Sequence, residues 1–131
     1  MASRILLDTH VWLWMNGSPS LLSQRAEEIL ADEENQLCLS AVSAWEIAIK
    51  FALGKLELPL PPERYVSSRM TANGVRPIPI QHDHAIQAGA LPPHHRDPFD
   101  RMLVAQAQQL EMQLMTDDQK IGLYDVSILS P

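Results

Sequence analysis

Short apolar runs alternate with longer amphipathic stretches along the whole chain. "RILLDTH" carries three consecutive apolar residues and turns polar at Asp8, the pattern of a short strand buried on both faces. "VWLWM" begins a short helix, which Ser18-Pro19-Ser20 interrupts. In "LLSQRAEEILADEEN", Leu22, Ala26, Ile29 and Leu30 recur at helical spacing and predict an amphipathic helix with that stripe inward. "QLCLS" reads as a second strand, and "AVSAWEIAIKFALGK" as a largely apolar helix closed near Gly54. The proline-rich "LELPLPPERY" cannot be a helix interior, so it predicts a connection, with a helix from about Pro62 to Asn73 after it. "VRPIPI" reads as a short strand whose prolines, Pro77 and Pro79, make it irregular or place it at an edge. "QHDHAIQAGAL" predicts a helix, and "PFDRMLVAQAQQLEM" a long one with Phe99, Met102, Leu103 and Ala107 on one side. "QLMT" is a strand, "DDQKIGLY" a short helical turn and "DVSIL" a last strand. Strands alternating with helices predict an α/β fold with a mainly parallel sheet, in one domain over residues 1–131.

Composition narrows the class. A chain of 131 residues with 46% hydrophobic residues can bury a real core and does not read as disordered. No apolar run approaches the roughly 20 residues of a membrane span. "MASRILLDTH" turns polar after three apolar residues, unlike a secretory signal. The single cysteine, Cys38, excludes an internal disulfide and reads as a buried core thiol. A cytoplasmic protein without a membrane partner is expected. The net charge of −6, from 10 Lys and Arg against 16 Asp and Glu, argues against nonspecific coating of nucleic acid. It leaves room for a nuclease whose carboxylates are neutralised by metal ions, and for a basic partner protein.

The acidic residues supply the candidate chemistry. In open α/β sheets, ligands bind beyond the carboxyl ends of the strands. Asp8 ends the first strand, Asp117 and Asp118 follow "QLMT", and Glu46 lies one to two turns into the helix after the second strand. Asp100 starts a helix at the same end. Converging carboxylates repel one another unless a cation lies between them, and such hard oxygen ligands suit Mg²⁺ or Mn²⁺. Each acid also has a plainer use. Asp8 can cap a helix, as can Asp117 or Asp118 after Thr116; Asp97 can cap the helix that Pro98 begins. Ser43 and Glu46 fit a capping box, and Glu46 and Lys50 an i, i+4 ion pair. The joint placement at strand ends, not any single residue, favours a metal site. His82 and His84 start a helix and His94-His95 lie in a loop, with no zinc-type spacing between them. No P-loop, dinucleotide or hydrolase-elbow motif occurs. Trp12, Trp14 and Trp45 are expected in the core or at an interface.

"ILLDTHVWLW", "SAVSAWEIAIKFALGKLELP", "LPPHHRDPFDRMLVAQA" and "LMTDD" resemble, in that order, the sequence blocks of PIN-domain ribonucleases, closest to the VapC toxins of bacterial type II toxin–antitoxin pairs. The resemblance implies a three-layer α/β/α sandwich around a parallel sheet of four or five strands. It implies Mg²⁺- or Mn²⁺-dependent endonucleolytic cleavage of RNA, inhibition by a cognate VapB-like antitoxin, and a homodimer. Carried over, Asp8 and Asp100 match the metal ligands, and Glu46 the glutamate of an "S-x-x-E" helix. Asp118 matches the acid of a T-x-D pattern, in preference to Asp117. Thr9, Ser43 and Thr116 match hydroxyl positions that line the site. Asp97 belongs to the "HHRDPFD" variant and is assigned to starting the helix. Arg96 or Arg101 would pair with substrate phosphate, or be plain surface charges. Two rivals remain: a phosphoacceptor receiver domain, which would want a late-strand Lys that "DVSIL" lacks, and a catalytically weak PIN-like module that binds protein or RNA.

Overall fold

Five parallel strands form a single sheet in the computed structural model, which describes residues 2–131. In chain order they are β1 (Arg4–Leu7), β2 (Gln36–Ser40), β3 (Arg76–Ile78), β4 (Gln113–Met115) and β5 (Ile128–Leu129). Across the sheet the order is β3-β2-β1-β4-β5, with Leu6 opposite Cys38 on one side and Leu114 on the other. The proline-bearing β3 is an edge strand, as its sequence predicts. Six helices cover the sheet: α1 (Thr9–Gly17), α2 (Gln24–Ala31), α3 (Ala41–Ala52), α4 (Pro62–Asn73), α5 (His82–Ala90) and α6 (Pro98–Leu110). None is long and apolar enough to cross a membrane.

The two-residue strand period divides the core. Ile5, Leu7, Leu37, Leu39 and Met115 pack with Val11, Trp12, Ala26 and Tyr65 from α1, α2 and α4. Leu6, Cys38 and Leu114 point the other way and pack with Leu103, Val104 and Ala107 of α6. Both faces are therefore apolar, which explains strand runs with no polar alternation and gives the three-layer α/β/α arrangement. Cys38 is the buried core thiol expected. The helix predicted from "LLSQ" starts later, at Gln24, because Ser23 Oγ accepts the Ala26 N–H at 3.1 Å and caps it there. Residues Pro19–Leu21 form a separate 3₁₀ turn.

This topology decides where a site can lie. From β1 the chain moves outward through β2 to β3, then returns to β4 on the other side of β1. The strand order thus reverses between β1 and β4, and a crevice opens there at the carboxyl edge. Helix α6 ends just before β4 begins, so its N-terminus reaches that same edge.

Three helices close on a residue in the left-handed conformation, which favours glycine, and α3 does so at Gly54 with φ 73°. α4 ends at Gly74 with φ 67°, whereas α6 ends at Glu111 with φ 53°. A side chain at such a position costs about 1 kcal/mol. Glu111→Gly is therefore expected to raise the melting temperature by roughly 4 °C, checked by thermal unfolding followed by circular dichroism.

Candidate active site

Asp8 leaves the end of β1 directly into α1. Its N–H donates to the Met115 carbonyl at 3.0 Å, tying it to the end of β4. Its side chain is buried and held at both oxygens: Oδ1 accepts the Thr9 N–H at 2.7 Å, and Oδ2 accepts the Thr116 hydroxyl at 2.6 Å. Asp8 is thus both the cap of α1 and a member of the acidic site. Thr9 Oγ1 donates to Ser43 Oγ at 2.8 Å, joining α1 to α3. The proposed capping box of Ser43 and Glu46 does not form. Ser40 caps α3 instead, its Oγ accepting the Val42 N–H at 3.0 Å, while Ser43 faces Thr9 inside the helix. Glu46 is buried and does make the expected ion pair, with Lys50 Nζ 2.7 Å from its Oε2. This hydrogen bond raises the Lys50 pKa above its ordinary value.

Helix α6 supplies two acids with different work. Asp97 is its cap, with Oδ1 accepting the Phe99 N–H at 2.9 Å and Pro98 in the first turn. Asp100 stands in that first turn. Asp8, Glu46, Asp97, Asp100 and Asp118 all line one cleft of about 190 Å³. Burial, reinforced by the carboxylates of Asp8, Asp97, Asp118 and Glu46, pushes the Asp100 carboxyl up to about 8.

The adjacent Asp117 and Asp118 point to different partners. Asp118 Oδ2 lies 2.9 Å from His95 Nε2, which is also 2.9 Å from Asp100 Oδ2. Burial would raise the Asp118 pKa, but hydrogen bonds from His95 and from the Lys120 N–H outweigh it and hold the carboxyl low. Asp117 is 56% exposed on its side chain and lies 2.6 Å from His10 Nε2; His10 Nδ1 is 3.4 Å from Asp8 Oδ2. Burial pulls the His10 pKa down, yet Asp8 and Asp117 prevail and push it up to about 9. Thr116 completes the edge by accepting the Asp118 N–H at 3.0 Å while donating to Asp8. Neither Asp117 nor Asp118 caps a helix.

His10 and His95 are the site residues that sequence reasoning misses. Their only signal is adjacency: His10 follows Asp8 by two positions, and His95 precedes Asp97 by two. Arg101 is held by the protein itself. Its guanidinium donates to the carbonyls of Ala88, Gly89, Leu91, Pro92 and His95 at 2.9–3.3 Å, and to the Tyr124 hydroxyl at 3.3 Å. Its nitrogens are thus engaged by the last turn of α5, by the loop between α5 and α6 and by Tyr124. Arg96 is exposed.

The donor set fits a small, hard divalent cation. Carboxylates from four separate elements face one cleft, where burial and then the neighbouring acids push the Asp100 carboxyl up. Such a site can bind a cation, orient water beside it and accept a phosphate group.

Comparisons with known proteins bear on the whole chain. Ribonuclease VapC22 of Mycobacterium tuberculosis (strain ATCC 25618 / H37Rv) is 30% identical over 118 residues, 89% of this chain and 88% of that protein. Ribonuclease VapC16 of the same strain is 48% identical over 56 residues, 43% of this chain but only 40% of that protein's length. VapBC2 from Rickettsia felis, solved bound to a DNA fragment from its promoter, matches with a TM-score of 0.70 at 12% identity, over 97% of this chain and 98% of the other. DNA-bound VapBC from Salmonella typhimurium matches with a TM-score of 0.69 at 15% identity, over 98% of each chain. The sequence profile of the PIN domain spans residues 5–128, from β1 to β5, and the chain belongs to the PIN-domain family.

Proposed function

We propose that this protein is a Mg²⁺- or Mn²⁺-dependent endoribonuclease, the toxin of a cytoplasmic toxin–antitoxin pair, that cleaves RNA phosphodiesters. The observation that carries this reading is the convergence of Asp8, Glu46, Asp100 and Asp118 on one cleft at the β1/β4 crevice. Kinship with proteins named Ribonuclease VapC22 and VapC16 supports it. Asp8 and Asp100 would hold the cation, with Glu46 and Asp118 completing the pocket directly or through water. When bound, the ion would stabilise charge on the scissile phosphate and lower the pKa of an attacking water. Thr9 N–H and the Thr116 hydroxyl fix both oxygens of Asp8, so the ligand is oriented before any ion arrives. Exposed Arg96, at the mouth of α6, is the cation left to meet substrate phosphate.

The site also suits a basic inhibitor. An antitoxin tail offering Arg or Lys to these carboxylates would block ligation and substrate entry together, consistent with structural likeness to VapBC complexes. Trp45 is 59% exposed and stacks edge-on against Phe99 beside the cleft, an apolar face suited to a second copy of the chain. Sedimentation at micromolar concentration should find a dimer that Trp45→Glu weakens at least about 10-fold. A strictly monomeric wild type rejects the homodimer.

Cleavage of RNA by antitoxin-free protein should require Mg²⁺ or Mn²⁺ and stop in EDTA. Asp8→Asn and Asp118→Asn should each lower the rate by more than about 100-fold and also lower the melting temperature, since an amide nitrogen would replace an oxygen that accepts a hydrogen bond, whereas Asp117→Asn should cost far less rate. Asp97→Ala should lower stability by about 1 kcal/mol through its lost cap, with a secondary loss of rate. Melts beside cleavage rates for the four variants decide these assignments, and activity that persists in EDTA rejects the metal mechanism.

Asp100 makes the metal-free protein pH-sensitive. Its carboxyl, near 3.8 when exposed, sits at about 8 in the fold, so the folded state holds that proton more tightly than the unfolded chain. The associated stability is fully present below pH 3.8 and lost as pH rises through 8. In EDTA, Asp100→Asn should therefore melt higher than wild type at pH 8.5 and flatten the decline between pH 5 and 8.5. Identical pH profiles for the two proteins would show that Asp100 bears no such repulsion.

A further inference from the structure

We infer that His95 is a positioning residue that donates a hydrogen bond to Asp118 beside Asp100, and is not itself a metal ligand. The inference rests on the proposed cation site but concerns how that site is built. His95, Asp100 and Asp118 present ligand atoms within 4.8 Å of one another, the arrangement of a mixed nitrogen–oxygen metal site. A histidine ligates a metal through an unprotonated ring nitrogen, so the tautomer decides between ligand and donor.

Here the backbone fixes the tautomer. The Asp97 N–H donates to His95 Nδ1 at 3.2 Å, and a backbone amide cannot accept, so Nδ1 carries a lone pair. The ring proton is therefore on Nε2, the nitrogen that lies 2.9 Å from both Asp100 Oδ2 and Asp118 Oδ2. That N–H, hydrogen-bonded to Asp118 and lying against Asp100, draws together a residue of α6 and a residue of the loop after β4. For Nε2 to bind metal, the proton would have to move to Nδ1, where it would face the Asp97 amide donor to donor.

The rest of His95 is held as firmly as its ring. Its N–H donates to the Tyr124 hydroxyl at 2.9 Å, and its carbonyl accepts from Arg101 Nη1 at 3.1 Å. Tyr124 in turn donates to the Pro92 carbonyl at 2.7 Å. The Arg101 fan over residues 88–95 thus has a functional consequence. It sets the loop so that the imidazole reaches the two acids, leaving an all-oxygen ligand set suited to Mg²⁺ and Mn²⁺.

The test uses the full-length, antitoxin-free protein and two conservative substitutions. A glutamine amide can place a donor near the Nε2 position, whereas an asparagine amide reaches only the Nδ1 position. Calorimetric titration should show His95→Asn binding Mn²⁺ about 10- to 100-fold more weakly than wild type and His95→Gln within a few-fold of it. Ni²⁺ affinity should fall by the same factor as Mn²⁺ affinity in each variant, since no nitrogen ligand is lost. Nitrogen-15 NMR of the wild-type ring should report protonated Nε2 both before and after Mg²⁺ addition. A selective loss of Ni²⁺ binding in both variants, or a shift of the ring proton to Nδ1 on adding Mg²⁺, overturns the inference and makes His95 a ligand. Unchanged Mn²⁺ binding in His95→Asn overturns its positioning role. These readouts need no RNA, so failure of the ribonuclease reading would appear separately, as wild-type protein that binds metal but does not cleave.

Discussion

Like-charge repulsion at the carboxyl edge of the sheet is the constraint that the surrounding structure answers. Two carboxylates about 5 Å apart oppose each other by roughly 3 kcal/mol at an effective dielectric of about 20. A domain's whole stability is only about 5–15 kcal/mol, so several such pairs in one cleft would strain any fold that left them bare. This chain surrounds each acid with donors. Thr9 and Thr116 serve Asp8, Lys50 serves Glu46, Lys120 N–H and His95 serve Asp118, and His10 bridges Asp8 to Asp117. Asp100 has His95 Nε2 at 2.9 Å, yet its burial, reinforced by four neighbouring carboxylates, drives its carboxyl up to about 8. That upward shift falls on a group assigned to the cation.

The apolar scaffold makes that concentration of charge tolerable. β1 and β4 are flanked on both faces by packed side chains, and their ends are locked by the Asp8 N–H to Met115 hydrogen bond. The acids therefore cannot relax apart by moving their backbones. On the proposed reading, rigidity behind the site would convert repulsion into affinity for a cation, because the acids hold their separation before any ion binds.

Much of this was legible in the chain. Apolar runs without alternation report strands covered on both faces, and prolines 77 and 79 report an edge. Asp8, Glu46, Asp100 and Asp118 could be placed at one edge because parallel topology sends every strand end the same way. What sequence could not show was side-chain commitment. Arg101 is one residue from Asp100 and looks available, yet the α5–α6 loop consumes its guanidinium. Ser43 has capping-box spacing, but Ser40 reaches the cap first and frees Ser43 to meet Thr9. His95 lies 23 positions from Asp118, and no local pattern announces a contact across that separation.

The structural and functional readings of single residues proved compatible where they had seemed to compete. Asp8 caps α1 through one oxygen while the other joins the site, and Glu46 binds Lys50 through one oxygen while its side chain lines the cleft. A carboxylate offers about four acceptor directions, so capping or pairing uses only part of its capacity. The adjacent acids divide labour for a different reason. Asp97 and Asp100 are three residues apart at a helix start, where the cap must satisfy exposed amides and the far side of the first turn is free to face the crevice. Asp117 and Asp118 follow β4 directly, and with consecutive side chains diverging, one turns to solvent and His10 while the other turns to His95 and Asp100. The doubled aspartates are therefore not redundant ligands. In each pair one residue holds the scaffold or its rim, which leaves the other free to face the cleft.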